Sequence, residues 1–158
     1  MKASVQTFRI ALVEDRTIKY EIPEAGHPLL AIAALREYLY DSDCEHCAVL
    51  FMDGKKRPIG IHTVSIGTID KVLVGVRDVF KAAILANATS IVVAHNHPSG
   101  DVNPSPEDVE LTHKLSFIGA IMGITVADCI IVNRDGWVYS FASENNLYGD
   151  EVLDANHS

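Results

Sequence analysis

Ser90 to Ala94 reads Ser-Ile-Val-Val-Ala, and the segment that follows it constrains the fold more than any other part of the chain. That segment is His95-Asn96-His97-Pro98-Ser99-Gly100-Asp101-Val102-Asn103-Pro104-Ser105-Pro106-Glu107-Asp108. Its pattern is H-x-H-P-x(6)-S-x-x-D. The apolar, β-branched run predicts a central strand. Pro98, Gly100, Asn103 and Pro104 make the connector a tight surface loop. Ser105 has the chemistry of a helix N-cap, with Pro106 at N1 and Asp108 at N3. A strand, a short loop and a helix start must therefore follow one another closely.

This geometry carries chemistry. In an extended chain, side chains at i and i+2 point to the same side, so His95 and His97 can face one point. Pro98 disfavours the α region for His97 and helps keep that geometry. The first helical turn can bring Asp108 toward them. Two nitrogens and one oxygen leave a fourth tetrahedral position for water, as in open zinc sites. A metal there would lower the pKa of that water to about 7. Each member also has a plainer explanation. Ser105 to Asp108 is a capping box in its own right, and a lone histidine is more often a hydrogen-bonded core residue than a ligand. Their conjunction is hard to obtain from packing alone.

The chain has 158 residues, enough for one domain with a sizeable core. Hydrophobic residues make up 48% and charged residues 22%, as in an ordinary globular protein. The net charge of −8 argues against a nucleic-acid backbone as the default partner. No apolar run reaches the roughly 20 residues of a membrane span. The alternating, charged N-terminus does not read as a signal peptide. A cytoplasmic protein with no membrane partner is expected. The odd number of cysteines, three, suggests no disulfide framework.

Val5 to Val13 and Thr17 to Ile22 alternate apolar and polar residues around Glu14-Asp15-Arg16 and predict a β-hairpin. Leu29 to Tyr40 has helical spacing behind Pro28. Cys47 to Met52 predicts a buried strand, Asp53 to Lys56 a turn, and Pro58 to Ile66 a second strand. Gly67 to Gly75 is read as a connector. A helix is expected over about Val76 to Asn87, then the central strand, and another helix over Ser105 to Gly123. Strands over Ile124 to Val132 and Trp137 to Phe141 flank a turn at Asn133 to Gly136, and Trp137 is read as core. The tail after Ser143 is polar and expected to be loose. The order β-β-α-β-β-α-β-α-β-β predicts an α/β (α+β) domain, a curved mixed sheet flanked by helices.

The string Ala94 to Gly100, with Pro104-Ser105, Asp108 and Leu111-Thr112, resembles the JAMM/MPN+ (JAB domain) metallopeptidases, and their RadC-like branch in particular. The likeness runs upstream through Glu45 to Asp53, Val64 to Thr68, Arg77 and the Ala-rich helix. Downstream it includes Gly123-Ile124, Asp128, Ile130 and Ser140-Phe141. It divides the chain into an N-terminal hairpin and helix (1–43), a metallohydrolase core (44–143) and a polar tail (144–158). The resemblance implies an MPN, cytidine deaminase-like architecture and one Zn²⁺ per chain on His95, His97 and Asp108. It implies that Ser105 hydrogen-bonds a developing oxyanion. It also implies that Glu45 holds the water, acts as general base and then protonates the leaving amine. By spacing alone, Glu45 is an exposed strand-end carboxylate. The chain departs from the family pattern in two places. A hairpin and a helix stand where many RadC-type chains carry a helix-hairpin-helix region. Cys129 follows Asp128 where the branch would have His.

Other signals carry less. Cys44-Glu45-His46-Cys47 is a C-x-x-C without a second pair, at a strand start, where i and i+3 point to opposite faces. His95-Asn96-His97 is not the HNH nuclease motif, whose namesake residues are spread over a longer ββα unit. Lys55-Lys56-Arg57 reads as a solvated turn. His113 lies off the ligand loop, and His62 is either close behind the ligands or strand surface. The leading functional expectation is a zinc-dependent hydrolase of an amide or isopeptide bond in a peptide or protein, with a ubiquitin-like tail adding to a sheet edge as one substrate. The alternative is a non-catalytic or accessory RadC-type protein in DNA repair, recombination or mobile-element defence, which would bring in nucleic acid. A metal-dependent phosphodiesterase is the third, disfavoured because no Arg or Lys clamp lies near the motif.

Overall fold

A computed structural model describes residues 5–7, 9, 11–20, 27–40, 42–67 and 74–148. In chain order the elements are α1 (His27–Leu39), β1 (His46–Met52), β2 (Pro58–Ile66), α2 (Val76–Leu85), β3 (Ser90–Asn96), α3 (Pro106–Met122), β4 (Thr125–Val132) and β5 (Val138–Ser140). The strands make one open, five-stranded mixed sheet in the order β2-β1-β3-β4-β5. β3 and β4 are parallel, and α3 is the crossover between them. The remaining pairs are antiparallel.

The sheet is covered on both faces, which explains why β1 and β3 read as continuous apolar runs. On one face Val49, Phe51, Ile91, Val93 and Ile131 join a core with Val79, Phe80 and Ala83 of α2 and Leu115 of α3. On the other, Leu50, Met52, Val92, Ala94 and Ile130 pack with Ala31, Ala34, Leu35 and Leu39 of α1. The two cores alternate residue by residue along the strands, as the two-residue period of a strand requires.

Local chemistry sets the joints. Asp53 folds the β1–β2 turn by accepting from the Lys55 and Arg57 amides at 2.8 and 3.0 Å. Its other oxygen takes the Arg57 side chain. The basic run is an exposed turn, as expected, and Arg57 also pairs with Asp53 within it. α3 ends at Gly123 in the left-handed conformation, φ 70°, which favours glycine. Gly119 allows a close helix–sheet approach: a Cβ there would lie 2.5 Å from the Ile124 carbonyl oxygen and 3.0 Å from a Val126 methyl.

Several expectations need correction. The described residues between Val5 and Tyr20 form no strand, so the hairpin is not present there, and Ile22 lies outside the described residues. Val5, Leu12 and Val13 are exposed. Alternation makes a strand only when one face has something to cover, and a lone hairpin is marginal in water. The segment instead meets α1, with the Arg16 guanidinium 5.3 Å from the Tyr38 ring centroid. Trp137 is 70% exposed and not core. It sits at the mouth of the β4–β5 turn, beside a strand at the sheet edge, where no helix covers it. The tail is not loose from its start: Asn146 donates its amide to the Phe141 carbonyl at 2.8 Å, and Leu147 is buried. Residues 68–73 of the expected connector, and residues 149–158, lie outside the described residues.

Gly119→Ala should lower stability by about 1–3 kcal/mol, because backbone on the facing side cannot give way; urea unfolding would measure it. The Asp53 carboxyl is held down at about 2, chiefly by the Arg57 side chain. A lowered folded-state value stabilises above the unfolded value near ~4 and loses that contribution as pH falls. The Tm difference between wild type and Asp53→Asn should therefore be full near neutral pH and close as pH falls toward about 2.

Candidate metal centre

The register of the central strands builds the site. Cys47 stands opposite His95 in the antiparallel β1–β3 pair. Counting outward by two on each strand puts Glu45 opposite His97, and alternation puts all four side chains on the α3 face. β3 is held on its other side by β4 up to Asn96, and the His97 amide continues that ladder to the Val132 carbonyl at 2.9 Å. The two histidines thus project from a strand end braced by both neighbours.

The donor atoms converge. His95 Nε2 and His97 Nε2 are 3.0 Å apart. Asp108 Oδ1 is 3.2 Å from His95 Nε2, and Asp108 Oδ2 is 3.7 Å from His97 Nε2. Donors about 2.0–2.1 Å from a tetrahedral ion are separated by about 3.3 Å, so these separations fit a single small cation. Ligand atoms of Glu45, His95 and His97 lie within 4.8 Å of one another, a group that could itself hold a metal ion. Two carboxylates therefore flank the imidazole pair, one from α3 and one from Glu45, the residue just before β1.

The capping and ligand explanations of Asp108 prove compatible. Its Oδ2 accepts from the Ser105 amide at 2.8 Å and the Ser105 hydroxyl at 2.7 Å, while its own amide donates to Ser105 Oγ at 3.2 Å. Oδ1 remains directed at His95. Burial by itself would raise the Asp108 carboxyl. The hydrogen bond and charge of His95, with the two Ser105 donors, outweigh it and hold the carboxyl well below the usual carboxylate range. Ser105 is placed beside the imidazoles, but as the N-cap its hydroxyl proton is committed to Asp108.

Groups behind the donors orient them. His97 Nδ1 lies 2.6 Å from the Asp101 carbonyl oxygen, so this nitrogen carries the proton and Nε2 presents its lone pair. Asn133 ties the ligand loop down, donating Nδ2 to the Gly100 carbonyl at 2.7 Å and accepting the Trp137 amide at Oδ1. Asn96, between the histidines, is buried at 5% exposure and faces the other way. Its Oδ1 accepts the His46 amide at 2.7 Å and its Nδ2 donates to the Cys44 carbonyl at 3.0 Å. Neither asparagine stands out from motif spacing. A polar residue at a buried position of an apolar strand was the available signal for Asn96.

The remaining suspects lie elsewhere. Cys129 is buried beneath α3 among apolar side chains, and burial pushes its thiol up to about 12. Cys44 and Cys47 are free thiols; Cys47 is buried and Cys44 partly so. His62 is exposed on β2. His113 Nε2 meets Asn146 Oδ1 at 3.2 Å, away from the ligand loop. Asp128 accepts from the Ser140 hydroxyl at 2.6 Å and the Ala142 amide at 3.0 Å, which braces the turn after β5. A cavity of about 610 Å³ between residues 19–20 and α1 touches none of the imidazoles. Among the described residues no helix is long and apolar enough to cross a membrane.

An α/β domain with two imidazoles and two carboxylates gathered at the end of a central strand belongs to the class that can hold a metal ion at the end of its sheet. The family model of the RadC-like JAB domain matches residues 26–147. A UPF0758 protein of Thermotoga maritima is 46% identical over 144 residues, covering 89% of this chain and 64% of the relative. One of Rubrobacter xylanophilus is 44% identical over 114 residues, covering 69% and 50%. The UPF0758 protein alr2351 of Nostoc is 43% identical over 107 residues, covering 68% and 44%. The chain belongs to the RadC-like JAB domain family. It spans between 44% and 64% of the length of these relatives.

With Zn²⁺ as the probe in equilibrium dialysis, a divalent cation held by these converging donors should be lost in His97→Ala and in Asp108→Ala, with the far-ultraviolet circular dichroism unchanged. Retention of a full equivalent of zinc by both would remove these residues from the site.

Proposed function

We propose that the protein is a zinc-dependent hydrolase of amide or isopeptide bonds in a peptide or protein, an extended ubiquitin-like tail among its candidate substrates. One observation carries this reading: His95, His97 and Asp108 bring donor atoms to tetrahedral-edge separations, with the Glu45 carboxylate beside them across the β1–β3 pair. His95, His97 and Asp108 are the ligands in this proposal. Bound there, zinc would supply a water acidic enough to ionise near neutral pH.

The rest of the work falls to the chain. Glu45 accepts the proton of the attacking water at a carboxylate oxygen and later delivers it to the departing amine nitrogen, so one group serves both half-reactions. Its position at the end of a paired strand suits this task, since the carboxylate is fixed relative to the imidazoles. Asp101, through its carbonyl, keeps His97 in the tautomer whose Nε2 accepts. The Ser105 hydroxyl, which donates to Asp108 Oδ2 in the resting site, exchanges that bond for one to the oxygen of the tetrahedral intermediate. The net charge of −8 supports a protein substrate over a phosphate backbone.

The test is zinc content by elemental mass spectrometry on wild type, His97→Ala and Glu45→Ala, with turnover on isopeptide-linked and peptide substrates. About one zinc is expected in wild type and in Glu45→Ala, and none in His97→Ala. Glu45→Ala should lose turnover by about 10²–10⁴-fold. Activity retained by Glu45→Ala would overturn the acid–base role. Negligible metal in all three after zinc is supplied would favour the accessory-protein alternative.

A further inference from the structure

We infer that Asn96 is the positioning residue of Glu45, acting through the β1 backbone and not through the metal ligands; this rests on the function proposed above. The regular β1–β3 ladder ends at Cys47 and His95. One step further out, past the last β1–β3 pair, His46 faces Asn96, which stays in register with Val132 on β4. The Asn96 side chain takes over as the missing strand partner. Its Oδ1 accepts the His46 amide at 2.7 Å and its Nδ2 donates to the Cys44 carbonyl at 3.0 Å. These two groups bracket Glu45. On the opposite side the Gly67 amide donates to the Glu45 carbonyl at 2.8 Å.

The backbone of Glu45 is therefore pinned from both flanks, and its side chain has one face of the sheet to project from. Only a carboxamide fits this task. It presents an acceptor and a donor at the spacing of a peptide group, and at 5% exposure it finds both partners within the protein. Alternation aims Asn96 away from the imidazoles. Its loss should leave the ligands in place and free the 44–46 segment, displacing the Glu45 carboxylate. A carboxylate misplaced by an ångström costs catalysis heavily.

The test uses Co²⁺ as the probe, because its visible d–d bands report the hydrogen bonding and number of groups around the ion without any substrate. Wild type, Asn96→Ala, Glu45→Gln and the double variant would be loaded and compared. Asn96→Ala should bind one Co²⁺, shift the bands in the same direction as Glu45→Gln, and add nothing to Glu45→Gln in the double variant. On any amide substrate that wild type turns over, kcat should fall by about 10- to 100-fold with KM unchanged. Asn96→Asp keeps the acceptor for His46 and removes the donor to Cys44. It should show the same shift if Asn96→Ala does not fold. A wild-type spectrum in a folded Asn96 variant, beside a shifted Glu45→Gln, would overturn the positioning role. So would additive shifts in the double variant. A wild-type spectrum in Glu45→Gln itself would instead remove Glu45 from the surroundings of the ion, and the acid–base role proposed above would fall with it.

Discussion

The site depends on the position of β3, which is paired on both sides from Ser90 to His95. β1 holds it antiparallel and β4 holds it parallel. Such a strand cannot slip by one residue without moving Ile91 and Val93 onto the face now filled by Val92 and Ala94. Register is then a property of the two cores together. The direction of His95 follows from it, and so does the placement of Glu45 one strand away. A set of donor groups built on loops alone would lack this constraint.

The first turn of α3 adds the remaining donor, and it does so with a residue already needed by the helix. Ser105 and Asp108 satisfy the orphan amides at the helix start. The same carboxylate commits one oxygen to the cap and leaves the other for the imidazoles. Capping thereby orients the group that a cation would need, at no added conformational cost. The carbonyl of Asp101 and the side-chain amide of Asn133 do similar work for His97 and its loop. The donors are thus preorganised by bonds that exist without a cation.

The strands and helices from residue 46 onward were legible because their signals were redundant. β2 could be placed end to end from Pro58 to Ile66, and α3 from its Ser105 cap to its Gly123 stop, because caps, turns and periodicity agreed. Where only one signal spoke, it misled. The alternation over Val5 to Val13 had no face to cover. Trp137 had bulk but no neighbouring helix. Leu147, in a mostly polar tail, had no periodicity to reveal its burial. Asn96 was hidden because its role depends on the ladder of another strand ending beside it, which one-dimensional spacing does not record.

The sequence by itself determined the chemistry available: two histidines on one side of a strand, a proline that keeps the chain extended, and a capping carboxylate three residues beyond a serine. These follow from nearest-neighbour backbone preferences and need no tertiary context. Spacing did not say which distant carboxylate joins them; the family resemblance named Glu45, and the tertiary structure is what brings it there. Glu45 is 50 residues from His95, the difference of their positions in the chain, and only the antiparallel register of β1 on β3 brings it to the imidazoles. Pairing between strands is set by what both faces of the sheet can bury, and that information is spread over α1, α2 and α3 and not held in any one segment.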